Sequence, residues 1–172
     1  MLVDRHYAAL YRFALSLSGS GDAAADLVQQ TYYLWAEKGH QLRDGSKAKS
    51  WLFTTLYREY LSTYRRNVRH PEVELDETTG ELPVVVPEVF NDLDGATVVS
   101  SLTEVDEVFR APLTLFYLED LSYKEIADVL EVPIGTVMSR LARGKEQLRK
   151  LLLDARGRAS AKVIPFEQKG AA

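Results

Sequence analysis

The side chains of this sequence best suited to recognition chemistry are Thr136, Ser139, Arg140, Arg143 and Gln147. At 100° per residue they fall together on one side of a helix, while Val137, Leu141, Gly144, Leu148 and Leu151 recur on another. Arginine addresses guanine with two parallel hydrogen bonds, and hydroxyl, amide and guanidinium groups all bind phosphate oxygens. Lys145 and Arg149 continue the basic character along the same segment. A charged helix face is more often simply solvated. Here the face is Thr, Ser, Arg and Gln rather than Glu and Lys, which points toward nucleic acid.

A second set lies earlier in the chain, where Trp51, Tyr57, Tyr60 and Tyr64 alternate with Arg58, Arg65, Arg66 and Arg69. Bases of a single strand stack on aromatic rings while arginine holds the backbone. Two plainer readings stand beside that one: the aromatics pack a core, and the arginines suit the negative end of a helix dipole. Other chemistry finds no support. There is no cysteine, His6, His40 and His70 are scattered, and no Gly-rich phosphate loop or nucleophile motif is present. The sequence therefore predicts no catalytic residue, no metal, no cofactor and no small-molecule substrate.

The elements that must position these residues are all helical. Ser122 with Glu125 three residues later is a capping-box start, and Ile126, Ala127 and Leu130 give the helix that follows an apolar stripe. A turn at Glu131 to Pro133 leads into the helix carrying Arg140 and Arg143, with proline suited to its opening. Residues 121–152 thus read as a helix-turn-helix. Toward the N-terminus, Tyr7, Leu10, Tyr11, Ala14 and Leu17 predict one helix. Asp22 is read as the cap of a second, ended at Gly39, with Leu27, Val28, Thr31, Leu34 and Trp35 inward. A loop over residues 40–49 then leads to a long helix reaching Arg69, burying Trp51, Leu52, Leu56 and Tyr60 or Tyr64.

Charge divides the 172 residues more sharply than the net −4 suggests. Residues 1–69 carry 10 Lys and Arg against 6 Asp and Glu; residues 70–109 carry 11 acids and no base; residues 110–172 carry 11 bases and 8 acids. Two mildly basic domains joined by an acidic connector follow from this. The boundaries are 1–69, a linker over 70–95 containing Pro71, Pro83 and Pro87, a second domain over 96–153, and a tail over 154–172 expected to fray. No apolar run approaches the ~18 residues of a spanning helix, and residues 1–10 lack the pattern of a signal peptide. A cytoplasmic protein without membrane insertion is the expectation.

In this order and at this spacing, DLVQQTYYLWAEKG from Asp26, SKAKSWLFTTLYREYLSTYRR from Ser46 and the helix-turn-helix segment resemble the extracytoplasmic-function sigma factors of bacterial RNA polymerase. The resemblance implies an all-α protein of two small helical domains on a flexible acidic linker. It would bind core polymerase and direct initiation at promoters, with an anti-sigma factor as a further partner. It also implies that Asp26, Gln29, Gln30 and Tyr33 meet the polymerase clamp, and that Lys47, Lys49, Trp51, Arg58, Arg65 and Arg66 hold minus-10 DNA. Thr136, Ser139, Arg140, Arg143 and Lys145 would hold minus-35 DNA, and the acidic linker would thread through polymerase as an RNA-like polyanion. The chain departs from the family pattern at Glu131, where members usually carry Gly, at Met138, often Lys, and at Arg58 and Ser62, commonly Asn and Asp. Outside that resemblance, a free-standing helix-turn-helix regulator and a sigma mimic without DNA binding remain alternatives. How the two domains face each other is open, including an arrangement that hides both DNA surfaces.

Overall fold

A computed structural model describes residues 2–63 and 95–161; Tyr64, Arg65, Arg66, Arg69 and the acidic linker up to Asp94 lie outside them. Among the described residues there are helices and no strand: α1 (Leu2–Ser18), α2 (Gly21–Lys38), α3 (Ala48–Thr63), α4 (Gly95–Glu104), α5 (Glu107–Tyr117), α6 (Tyr123–Leu130) and α7 (Ile134–Ala161). Two short 3-10 turns, Gly39–Gln41 and Gly45–Lys47, bridge α2 and α3 where an open loop was expected, so Lys49 sits in the first turn of α3. None of these helices is long and apolar enough to cross a membrane.

The first three helices form one packed unit. α1 stops because Gly19 takes φ +67, a left-handed conformation glycine adopts without steric cost, and its N–H returns to the Leu15 carbonyl at 2.9 Å. Ser20, not Asp22, caps α2: its side chain accepts from the Ala23 N–H, and Asp22 falls inside the first turn. The buried face of α1 is Leu10, Phe13, Ala14 and Leu17, rotated from the predicted stripe, and Tyr7 is left 47% exposed. Phe13 draws the helix round by packing on Phe53 at 5.5 Å and near Tyr57 at 6.4 Å. Gly39 ends α2 in the right-handed region; its lack of a side chain matters because an added Cβ would come within 2.7 Å of the Trp35 ring.

The second unit is built on α7. Val137, Leu141, Leu148 and Leu152 face its core, and Gly144 lets α5 approach: a Cβ there would lie 2.9 Å from both Leu113 Cδ1 and Phe109 Cβ. The capping box forms as read, with the Ser122 N–H donating to Glu125 Oε2 at 2.8 Å and the Glu125 N–H to Ser122 Oγ at 3.2 Å. The turn after α6 places Glu131 at φ +56, which for a residue with a Cβ costs on the order of 1–2 kcal/mol. Asp120 occupies the same region at φ +52 in the turn after α5. α7 does not fray after Asp154; it runs to Ala161, because Ala and Arg are strong helix formers extending a helix already anchored by its core.

The two units pack against each other. α1 meets α5 through a buried hydrogen bond from Thr114 Oγ1 to Ser16 Oγ at 2.9 Å, and Ser16 Oγ in turn donates to the Phe13 carbonyl at 2.8 Å. α3 lies along α6, and apolar residues of both units belong to one continuous buried cluster. Arg12 of α1 grips Glu119, its Nε and Nη2 donating to the two carboxylate oxygens at 3.2 and 3.3 Å.

Two predictions follow from this packing. Gly144→Ala should lower the melting temperature, because an overpacking cost of about 1–3 kcal/mol exceeds the ~1 kcal/mol an alanine gains over glycine in a helix. Gly157→Ala, with nothing within 4 Å of the added carbon, should raise it. The second concerns Glu119, 8% exposed: burial pushes its carboxyl above the usual range, with Arg12 and Lys49 opposing. A raised carboxyl holds its proton more tightly folded than unfolded, so its contribution to stability grows as pH falls through that window and is lost as pH rises. Wild type should therefore gain stability relative to Glu119→Gln between pH 7 and pH 5 in paired thermal melts.

Candidate nucleic-acid interface

Along α7 the observed outward face differs from the predicted one. Arg143 is exposed and Ser139 half-buried, its Oγ donating to the Thr136 carbonyl at 3.1 Å; Thr136 is also half-buried. Arg140 is half-buried with its Nε enclosed by protein. Gln147, grouped with the reading residues by periodicity, is a strap instead: its Nε2 donates to Asp106 Oδ2 at 2.7 Å and its Oε1 accepts from the Asp106 N–H at 3.1 Å. The amide ties α7 to the start of α5, a contact between positions 41 apart that helical periodicity does not encode. Lys145 also turns away from Arg143. Its ammonium lies 4.5 Å from the Phe116 ring centroid and 5.7 Å from that of Tyr117, and burial lowers its pKa. Burial likewise pushes the Tyr117 hydroxyl up to about 12.

The exposed part of the first turns of α7 includes Ile134 and Met138, at 50% and 51% exposure. Ile134 did not enter the reading by charge, and Met138 entered it only as a departure from the family's frequent Lys; four residues apart, the two share one side of the helix. Thymine methyls and apolar side chains are natural partners in a major groove.

In the first unit, Asp26, Gln29, Gln30 and Tyr33 stand exposed along one side of α2, with the Tyr33 hydroxyl donating to Glu37 Oε1 at 2.9 Å. Trp51 is half-buried and meets Trp35 edge-on, ring centroids 5.2 Å apart. Tyr60 is buried, its hydroxyl donating to Glu107 Oε1 of the other unit at 2.8 Å, and burial with that hydrogen bond raises its pKa well above the ordinary range. Lys47 is exposed in the second 3-10 turn. Lys49 reaches across the seam to the Glu119 carbonyl at 3.5 Å, with its ammonium 6.0 Å from the Phe53 ring centroid.

Arg58 pairs with a carboxylate of the other unit. Its Nε donates to Glu131 Oε2 at 2.9 Å while Nη2 bonds Oε1, a two-pronged pairing between α3 and the turn of the helix-turn-helix. That hydrogen bond holds the Glu131 carboxyl below the usual carboxylate range. Sequence reasoning missed the pairings of Arg12 and Arg58 for a plain reason: their partners lie 107 and 73 positions away. Among the described residues no group of three His, Asp or Glu side chains gathers to hold a metal.

The arrangement matches known proteins along most of its length. Family models for sigma-70 region 2 and sigma-70 region 4 cover residues 2–70 and 101–148. The ECF RNA polymerase sigma factor SigE of Mycolicibacterium smegmatis is 34% identical over 88% of this chain, which spans 60% of SigE's own length. EcfG of Rhodopseudomonas palustris is 31% identical over 83% of this chain and 78% of its own. The solved structure of the sigma factor RpoE in complex with the anti-sigma factor NepR from Bartonella quintana superposes with a TM-score of 0.68 at 31% identity, covering 88% of this chain and 94% of that one. With region 2 in α1 to α3 and region 4 in α4 to α7, this chain belongs to the extracytoplasmic-function sigma factors of bacterial RNA polymerase.

Proposed function

We propose that this sigma factor delivers core polymerase to promoters through two separate DNA contacts and one polymerase contact. The residues assigned to each extend the family's function to named side chains. Asp26, Gln29, Gln30 and Tyr33 meet the polymerase; Lys47, Lys49, Trp51 and Arg58, with Arg65 and Arg66, take the minus-10 element; Thr136, Ser139, Arg140 and Arg143 enter the minus-35 groove. The observation that carries this reading is the capped helix-turn-helix, whose second helix turns Arg143 outward beside Ser139 while its leucines hold the core. Lys145, packed over Phe116, serves the phosphate backbone only by swinging off that ring.

Catalysis of RNA synthesis belongs to the polymerase, and the chain contributes recognition in the bacterial cytoplasm where that enzyme works. Bartonella quintana RpoE was solved with an anti-sigma factor, and a partner of that class is proposed here as well.

Purified chain combined with core polymerase should initiate from a subset of promoters in a genomic library. Failure to initiate from any would remove the reading. Arg143→Ala should reduce transcription from minus-35-dependent templates about tenfold, since one bidentate base contact contributes about 1–3 kcal/mol. The run-off assay with and without the minus-35 element measures the effect.

A further inference from the structure

Among the described residues, five large hydrophobic side chains stand exposed: Tyr7, Tyr33, Ile134, Met138 and Leu153. Ile134 and Met138 lie four residues apart in the first turns of α7, which makes them neighbours on one side of the helix. Gly135 beside them adds no side chain, and no other part of the fold comes within 4 Å of where its Cβ would stand. One turn further on, half-buried Ala142 continues the strip, with Ser139 and Arg143 next to it. The pair is therefore continuous with the recognition face. Scattered apolar residues on a surface need no explanation. These two are adjacent, and they occupy the N-terminal turns by which a recognition helix meets base edges.

We propose that Ile134 and Met138 set part of the minus-35 specificity by packing on thymine C5-methyl groups in the major groove, beside the polar contacts of Ser139 and Arg143. The proposal rests on the minus-35 role given above to α7. Neither side chain carries a hydrogen-bond donor, so neither can bond guanine N7 and O6 or a phosphate oxygen. The thymine methyl is the apolar group on the major-groove edge of the base pairs, and burying it removes apolar surface of both partners from water. Met138 has the flexible, polarisable thioether that adapts to such a group, while β-branched Ile134 presents a stiffer surface beside it. This part of the specificity is carried by contact area and not by charge. Unlike the phosphate contacts, it does not weaken as salt rises.

The test gives the full chain with core polymerase a promoter library randomised across the minus-35 element, and the bound templates are sequenced. Wild type should enrich thymine at one or two positions. In the best template, replacing those thymines by uracil removes only the methyl groups and leaves the protein untouched. Run-off transcription should then fall about fourfold per methyl, the loss expected for burying one apolar group of that size, and by the same factor at low and moderate salt. Ile134→Ala with Met138→Ala should use thymine and uracil templates alike. Met138→Lys should exchange an enriched thymine for guanine, which a lysine can address. Leu153→Ala, an exposed apolar change about 22 Å further along the helix, should keep the full thymine preference. Equal use of thymine and uracil templates by wild type, or a thymine preference that survives the double alanine change, would overturn the proposal and leave the pair to a protein contact. If initiation depends on the minus-35 element yet shows no methyl effect, the methyl contact alone fails. If no template in the library is bound, the promoter reading fails and the methyl contact with it.

Discussion

Two hydroxyls with no exposed surface, Ser16 on α1 and Thr114 on α5, meet at 2.9 Å across the junction of the two halves. A buried hydroxyl without a partner costs about 1–3 kcal/mol, so within the apolar seam these two must find each other. Ser16 also donates to the Phe13 carbonyl, which leaves its oxygen free to accept from Thr114. The pairing fixes α1 against α5, and the remaining polar ties of the seam fall into reach from there. Arg12, one turn before Ser16, meets Glu119 just past the end of α5, and α3 comes to rest along α6 with Arg58 opposite Glu131.

Two residues in left-handed conformations frame α6. Asp120 and Glu131 both carry side chains at φ above +50°, where glycine would sit without strain. The backbone at Glu131 is stabilised by its N–H returning to the Ala127 carbonyl, and Val132 donates to the same oxygen at 3.2 Å. From that backbone position the Glu131 side chain reaches across to Arg58 of α3. Glu131 and Arg58 are two of the positions where the sequence departs from the family pattern, and the fold makes them a pair.

The two helical units gain from burying a common apolar area. Their seam combines a dry centre with a polar edge. Arg58 and Glu131 lie at that edge and are both largely solvated, so their pairing contributes little to stability. Glu119 behaves differently: it is removed from water, burial raises its carboxyl, and Arg12 and the Lys49 that faces it offset only part of that cost.

Local signals were legible without coordinates. The Ser122–Glu125 box, the apolar stripe of α7 from Val137 to Leu148, the turn ending at Pro133 and the exposed side of α2 follow from residue type and helical period, which act over a few residues; beyond Leu148 it is Leu152, not the expected Leu151, that is fully buried. The same rules misplaced details wherever a distant residue intervened. Phe53 rotated the buried face of α1, Asp106 captured Gln147 from the reading face, and Phe116 drew Lys145 inward. The sequence by itself determined the first three helices, the capping box of α6, the recognition helix and the division of charge, because each depends on neighbours within a turn or two; the cap of α2 moved from Asp22 to Ser20, and α4 and α5 had no such local signal read for them. The tertiary structure alone decided which cations meet which carboxylates, because Arg12 with Glu119 and Arg58 with Glu131 become neighbours only when the two helical units bury a common seam.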